Sequence, residues 1–175
     1  EDMAAVVRIG AEHLASRLGD KPLHIIGYST GATLALNFTL DALEGSAGPV
    51  PASLVLISPA IGISRAAALA GWKKRLSALP GQSGRAWLVN EPEFDPYKYN
   101  SFATNAGQQV HLLTRSVASR ISSHIRRQGD RDFPPTLVFK SNADSTVTNE
   151  AVVGRLLGLL GQAEPNRHEL VLFDV

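Results

Sequence analysis

Leu23-His24-Ile25-Ile26-Gly27-Tyr28-Ser29-Thr30-Gly31-Ala32 is the stretch whose reading decides the fold. Its first six residues form a short apolar run, the pattern of a strand buried on both faces of a parallel sheet. From Thr30 onward the sequence turns helical, rich in Ala and Leu to Leu43, and Gly45 and Gly48 end it. Between the two stands Gly27-x-Ser29-x-Gly31. As a bare pattern this is weak, because glycine and serine are common. A strand running directly into it and a helix leaving directly from it give it meaning. Such a sharp turn holds the serine in a strained backbone conformation with its hydroxyl exposed above the sheet. Gly27 and Gly31 are expected to leave room where strand and helix meet. The Thr30 N–H, at the start of the helix, is placed to donate to a developing oxyanion. The plainer alternative is a Gly-Ser turn with no chemistry.

Outward from this turn, the pattern repeats. Residues 2–18 carry apolar positions at Val6, Ile9, Leu14 and Leu18, close to helical spacing, and Gly19-Asp20-Lys21-Pro22 stops them. A second buried strand covers 53–58 and closes at Pro59, a third covers 136–141, a helix covers 149–160, and a fourth strand covers 169–173. Strands alternating with helices predict an α/β fold, a parallel sheet with helices on its faces. The stretch 64–132 breaks the rhythm and reads as an insertion between the second and third strands. Within it, 65–79 reads as helix, 91–105 as irregular, and 107–128 as an amphipathic helix with Val110, Leu113, Val117, Ile121 and Ile125 on one stripe. The division is 1–63 core, 64–132 a largely helical insertion, and 133–175 the remaining core.

Composition bounds the chemistry. With 44% hydrophobic and 19% charged residues, the 175-residue chain has the makeup of an ordinary globular protein able to bury a core. It has no cysteine, which excludes disulfides, thiolate metal sites and a cysteine nucleophile. No apolar run approaches the roughly 18 to 20 residues that span a bilayer. The net charge of +1 hides an asymmetry: 65–131 holds eleven basic and four acidic residues, the remainder six basic and twelve acidic.

Residues 25–32 resemble the nucleophile elbow of the α/β-hydrolase superfamily, most nearly its lysophospholipase and monoacylglycerol-lipase-like branch. The resemblance covers nearly the whole chain, as the half of that fold running from the nucleophile strand to the last strand, with the earlier strands absent. It implies a three-layer α/β/α arrangement with a cap, and Ser29 as the nucleophile of a Ser-His-Asp triad. In this superfamily the acid sits in a loop after a later strand. Asp144, in Asn142-Ala143-Asp144-Ser145-Thr146-Val147, matches it, and Val147 is similar to the family's D-x-x-V pattern. A carboxylate there would orient the imidazole and stabilise the imidazolium formed during attack; the alternative is a loop or capping aspartate. Asp130 and Asp132 precede the strand and belong at its other end.

The triad order places the histidine last. Only His168 follows Asp144, and it precedes the fourth strand, so it belongs at the wrong end of a parallel sheet and reads as a surface or strand-edge residue. His13 and His111 fall on helices, His24 starts a strand, and His124 lies near the apolar stripe of the long helix. The catalytic histidine is therefore expected after Val175.

Leu69, Trp72, Leu76, Trp87, Phe94, Tyr97, Tyr99 and Phe102 of the cap could line an acyl pocket; for any one of them simple packing is the plainer reading. The basic surplus could attract anionic lipid headgroups, though arginines on a solvated helix face explain it more simply. No nucleic-acid reader motif accompanies it. The reading is a serine hydrolase of carboxylic esters with an acyl chain, acting on a small-molecule acyl ester through an acyl-enzyme on Ser29, with no metal and no organic cofactor implied. A thioesterase, amidase or peptidase on the same fold is one alternative. A non-catalytic binding protein of the same fold is another. A Rossmann-like nucleotide binder ranks below both, because residues 27–31 lack G-x-G-x-x-G spacing.

Overall fold

The computed structural model describes residues 2–61, 87–89, 102–141, 152–160 and 167–174. The chain divides into two compact units, one formed by 1–62 with 114–175 and the other by 63–113.

In the larger unit, helix α1 (Asp2–Leu18) leads to strand β1 (His24–Tyr28), helix α2 (Thr30–Leu43) and strand β2 (Ser53–Ile57). Gly19, at φ 58°, ends α1 in the left-handed conformation that glycine adopts without a steric penalty. In the smaller unit, β3 (Trp87–Val89) pairs antiparallel with β4 (Phe102–Ala103); helix α3 (Thr104–Gln128) follows and belongs to the larger unit from Thr114 onward. The chain then returns as β5 (Thr136–Ser141), a π-helical turn Val153–Leu157 running into the short helix α4 (Gly158–Leu160), and β6 (His168–Phe173).

Strands β1, β2, β5 and β6 form one sheet in that spatial order, every pair parallel. This is the α/β architecture expected from the alternation of strands and helices. The register aligns Ile25 with Leu54, Thr136 and His168 across the sheet, and Tyr28 with Ile57, Phe139 and Val171. The C-terminal ends of all four strands therefore form one edge. The expected helix at 149–160 is described over 152–160 only, and the one at 65–79 lies outside the described residues.

Helix α2 packs on β1 and β2 and against α1. It is buried on nearly every side, which suits its run of Ala, Leu and Phe. Leu34, Leu36, Phe38, Leu40, Leu54 and Leu56 make the centre of the core, and Val117 and Ile121 of α3 join the buried set from Thr114 onward. Burial of each large apolar side chain contributes about 1.5–3 kcal/mol.

Two expectations fail. Strand β1 is not buried on both faces: Ile26 is 72% and Tyr28 70% exposed, and within the strand Gly27 alone is buried. It is the edge strand of the described sheet, covered by α2 on one side only. The stripe read on 2–18 does not pack either, since Val6, Ile9 and Leu14 are all exposed and Ala11 is the buried apolar residue of α1. Periodicity identified the helix but not the face it buries. Among the described residues no helix is long and apolar enough to cross a membrane.

Candidate active site

The turn from β1 into α2 brings strand and helix backbones close together. A Cβ built on Gly27 would stand 2.5 Å from the Cα of Ala32, 2.7 Å from its nitrogen and 2.8 Å from the carbonyl oxygen of Gly31. All three are backbone atoms, so nothing can give way cheaply. Glycine is the residue that lets the helix leave so close to the strand. Gly31 is different: a Cβ there meets nothing within 4 Å among the described residues. Among the described residues, the crowding expected at both glycines is found at Gly27.

Ser29 occupies φ 52°, ψ −118°, a sparsely populated conformation for a residue with a side chain. Such a backbone costs about 1–3 kcal/mol and persists only where its surroundings enforce it. They do so here. The Ser29 N–H donates to the Ile57 carbonyl at 2.9 Å. Its carbonyl accepts from the amides of Ala32 at 3.1 Å, Thr33 at 3.4 Å and Ala60 at 3.2 Å. Two of these bonds begin the helix; the other two come from β2 and the segment after it.

Serine at a helix N-cap ordinarily turns its hydroxyl onto the amides of the first turn. Ser29 stands at the N-cap of α2 and makes no side-chain cap hydrogen bond. Its half-buried hydroxyl is left for other work. Thr30 follows as the first helical residue, where a backbone amide has no intrahelical acceptor and the helix dipole is positive.

The neighbouring strand end is also distorted. Ser58, one residue past β2, has φ 43°, and its amide donates to the Phe139 carbonyl at 2.8 Å. Ala60 then bridges three elements: its amide reaches Ser29, while its carbonyl accepts from the buried hydroxyls of Thr33 at 3.1 Å and Thr114 at 2.7 Å. No sequence signal marked Thr33, Ala60 or Thr114. Their partners lie 27 and 54 residues apart along the chain, and only the fold brings them together.

Asp144 lies outside the described residues. Strand β5, which precedes it, ends at Ser141 on the same edge of the sheet as Ser29. Two interstrand spacings of about 4.8 Å separate β1 from β5, roughly 10 Å in all.

Three of the five histidines belong to the opposite edge. His168 is level with Ile25, four residues and roughly 13 Å before Ser29 at about 3.3 Å per residue. It opens β6, an outer strand of the described sheet, and is buried with its ring edge-on to Phe133, so of the two readings, surface or strand-edge, the surface one is corrected. A parallel strand buries even its first residue where a loop such as 129–135 folds beneath it. His24 opens β1 and its Nδ1 pairs with Ser53 Oγ at 2.8 Å. His124 is buried, with Nε2 3.1 Å from Asp132 in the loop before β5. His13 sits exposed on α1, and His111 belongs to the smaller unit.

Of the basic residues read as a surplus, Arg120 is committed internally. Its guanidinium contacts Asp41 and Glu44, each at 2.7 Å, and donates to Asn37 at 3.0 Å. Partial burial alone would lower its pKa; hydrogen bonds and charge attraction from Glu44 and Asp41 outweigh that and raise it. This knot ties α3 to the far end of α2.

Comparison with known structures places the fold. Monoacylglycerol lipase from Paleococcus ferrophilus superposes with a TM-score of 0.65 at 17% identity, over 98% of this chain and 65% of that one. A carboxyl esterase from Bacillus coagulans gives 0.60 at 14% identity, over 98% and 62%. A monoglyceride lipase from Saccharomyces cerevisiae gives 0.60 at 11% identity, over 99% and 58%. This chain thus spans about three fifths of the length of the structures it resembles. Among curated proteins none matches it by sequence. The family model described as thioesterase domain matches residues 1–115, well over half of the chain. The chain belongs to the thioesterase-domain family, within the α/β-hydrolase superfamily.

Proposed function

We propose that the protein hydrolyses carboxylic esters of acyl chains through an acyl-enzyme on Ser29. The observation that carries this is the Ser29 backbone, held at φ 52° between β1 and α2 with its hydroxyl unused as a cap. Strain of that kind is retained where it presents a reactive group. The lipase and esterase structures of the same fold, and the thioesterase-domain match, support ester hydrolysis as the reaction class.

In this reading Ser29 Oγ attacks the substrate carbonyl as a histidine base takes its proton. Asp144, carried by the segment after β5, holds that histidine in the required tautomer. The tetrahedral oxyanion accepts a hydrogen bond from the Thr30 amide, aided by the positive end of α2. Collapse expels the alcohol, protonated by the same histidine, and leaves the acyl group on Ser29. Water then adds under general-base assistance and releases the acid. His24, His124 and His168 do not serve as the base, because they belong to the far edge of the sheet. The basic residues of the cap are proposed to favour substrates presented at an anionic lipid surface.

A second reading has a specific observation behind it: the matching family model is that of thioesterases, which makes acyl thioesters the rival substrate. The two linkages share the nucleophile and the oxyanion and differ in the leaving group. Turnover of a chromogenic acyl oxoester and of the matched thioester, by the protein and by Ser29→Ala, tests both. The expected result is turnover of at least one, reduced at least about 10⁴-fold by the substitution. Undiminished turnover in Ser29→Ala would reject Ser29 as nucleophile. A stable wild type inert to both esters would favour a non-catalytic binding protein.

A further inference from the structure

The carbonyl of Ser29 and the amide of Thr30 are two ends of one planar trans peptide and point in opposite directions. Whatever grips the Ser29 oxygen therefore also sets the aim of the Thr30 N–H. Two of the grips, from the amides of Ala32 and Thr33, are the ordinary opening bonds of a helix. The third, from the Ala60 amide at 3.2 Å, is not part of any helix or strand ladder.

Ala60 itself is firmly held. It is the central residue of a three-residue turn closed by the Ile61 amide on the Pro59 carbonyl at 2.7 Å. Its carbonyl accepts two hydroxyls, Thr114 Oγ1 at 2.7 Å and Thr33 Oγ1 at 3.1 Å, which fill both of its acceptor positions. Thr33, Ala60 and Thr114 are all buried, so water does not compete for these bonds. The use of Thr33 is selective. Thr39, on the same helix, returns its hydroxyl to the carbonyl four residues back, Ala35, at 2.9 Å. The equivalent acceptor for Thr33 would be Ser29, yet its hydroxyl goes across to Ala60.

We infer that Thr114 and Thr33 are positioning residues for the oxyanion donor: through the Ala60 peptide they fix the Ser29–Thr30 peptide plane. The inference rests on the function proposed above. Neither threonine touches substrate in this scheme. Their effect falls on the transition state, because the Thr30 N–H matters most once negative charge has developed on the carbonyl oxygen.

The test compares Thr114→Val, which keeps shape and removes the hydroxyl, with Thr114→Ser, which keeps the hydroxyl, in the full chain. Thr33→Val and Thr33→Ser form a second pair should Thr114→Val fail to fold, and Thr39→Val is the control for losing a buried hydroxyl from α2. Three quantities are read: kcat and KM on an acyl ester, the inhibition constant of an acyl trifluoromethyl ketone, and exchange of the Ala60 amide. The expected result is a fall in kcat of at least about tenfold with KM little changed. Ketone affinity falls by a similar factor, Ala60 exchange accelerates, serine restores all three, and Thr39→Val moves none. A folded Thr114→Val with kcat and ketone affinity within twofold of wild type overturns the inference. A wild type that neither turns over ester nor binds ketone refutes the hydrolase reading instead. The tether is then judged on exchange alone, and an unchanged Ala60 amide overturns it.

Discussion

At Gly27 the absence of a side chain is a steric requirement, and at Gly31 no described residue makes it one. Replacing Gly27 with alanine drives a Cβ to 2.5 Å from the Ala32 backbone, and the strand or the helix must shift. We expect Gly27→Ala to lose about 1–3 kcal/mol or more in urea unfolding. Gly31→Ala, in the first turn of α2 with no described residue within 4 Å of the new Cβ, should be neutral or gain up to about 1 kcal/mol from helix propensity. Equal losses at the two positions would contradict the geometry. The sequence presented the glycines as equivalent members of one motif. Their difference depends on how closely the helix crosses the strand, which a pattern of residue types does not encode. The same holds for Thr33 and Thr114, whose shared partner is a backbone carbonyl and so has no residue type to read. Ser29 was legible for the opposite reason: a strand, a serine between glycines and a helix are consecutive in the chain.

Among the elements, α2 is the one on which the site depends. It carries Ser29 at its start, Thr33 within its first turns, and the acidic pair Asp41 and Glu44 at its end. Arg120 of α3 binds that pair from the side. Removing it as Arg120→Ala should cost about 1 kcal/mol, a figure discounted for the partial exposure of all three groups, and the cost should shrink as salt is raised. Arg120→Lys should recover only part of it, since one ammonium cannot reproduce the fork between two carboxylates. Thermal unfolding at low and high ionic strength measures both. The strands give a second contrast. Leu56, fully buried at the centre of the sheet, should lose about 2–5 kcal/mol on truncation to alanine, whereas Ile26, 72% exposed on β1, should lose less than about 1 kcal/mol. A large cost at Ile26 would mean that the open face of β1 is covered in solution. Short apolar runs located these strands well. It misjudged the burial of β1 because a run such as His24–Tyr28 reads the same at an edge as at a centre.

For the whole molecule, the order of the parallel strands and of helices α1 and α2 was legible, because each is a local pattern of five residues or more. The four parallel strands and the helices 2–18 and 30–43 fall where the sequence puts them, within a residue or two. The spatial order β1-β2-β5-β6 keeps successive strands of the sheet adjacent, as connection rules favour, but the sequence reading assigned no order. The placement of His168 was legible from strand direction alone, and its burial was not, because that depends on Phe133 and the loop before β5. The account as a whole requires a base that reaches Ser29 from the C-terminal edge of the sheet, where His24, His124 and His168 do not lie. It turns on whether Ser29 is an activated nucleophile. Intact-protein mass after incubation with a fluorophosphonate, beside Ser29→Ala, tests this most directly. The account predicts a single adduct on the protein and none on the variant. A folded protein that takes no adduct, or a variant that takes the same one, would contradict it.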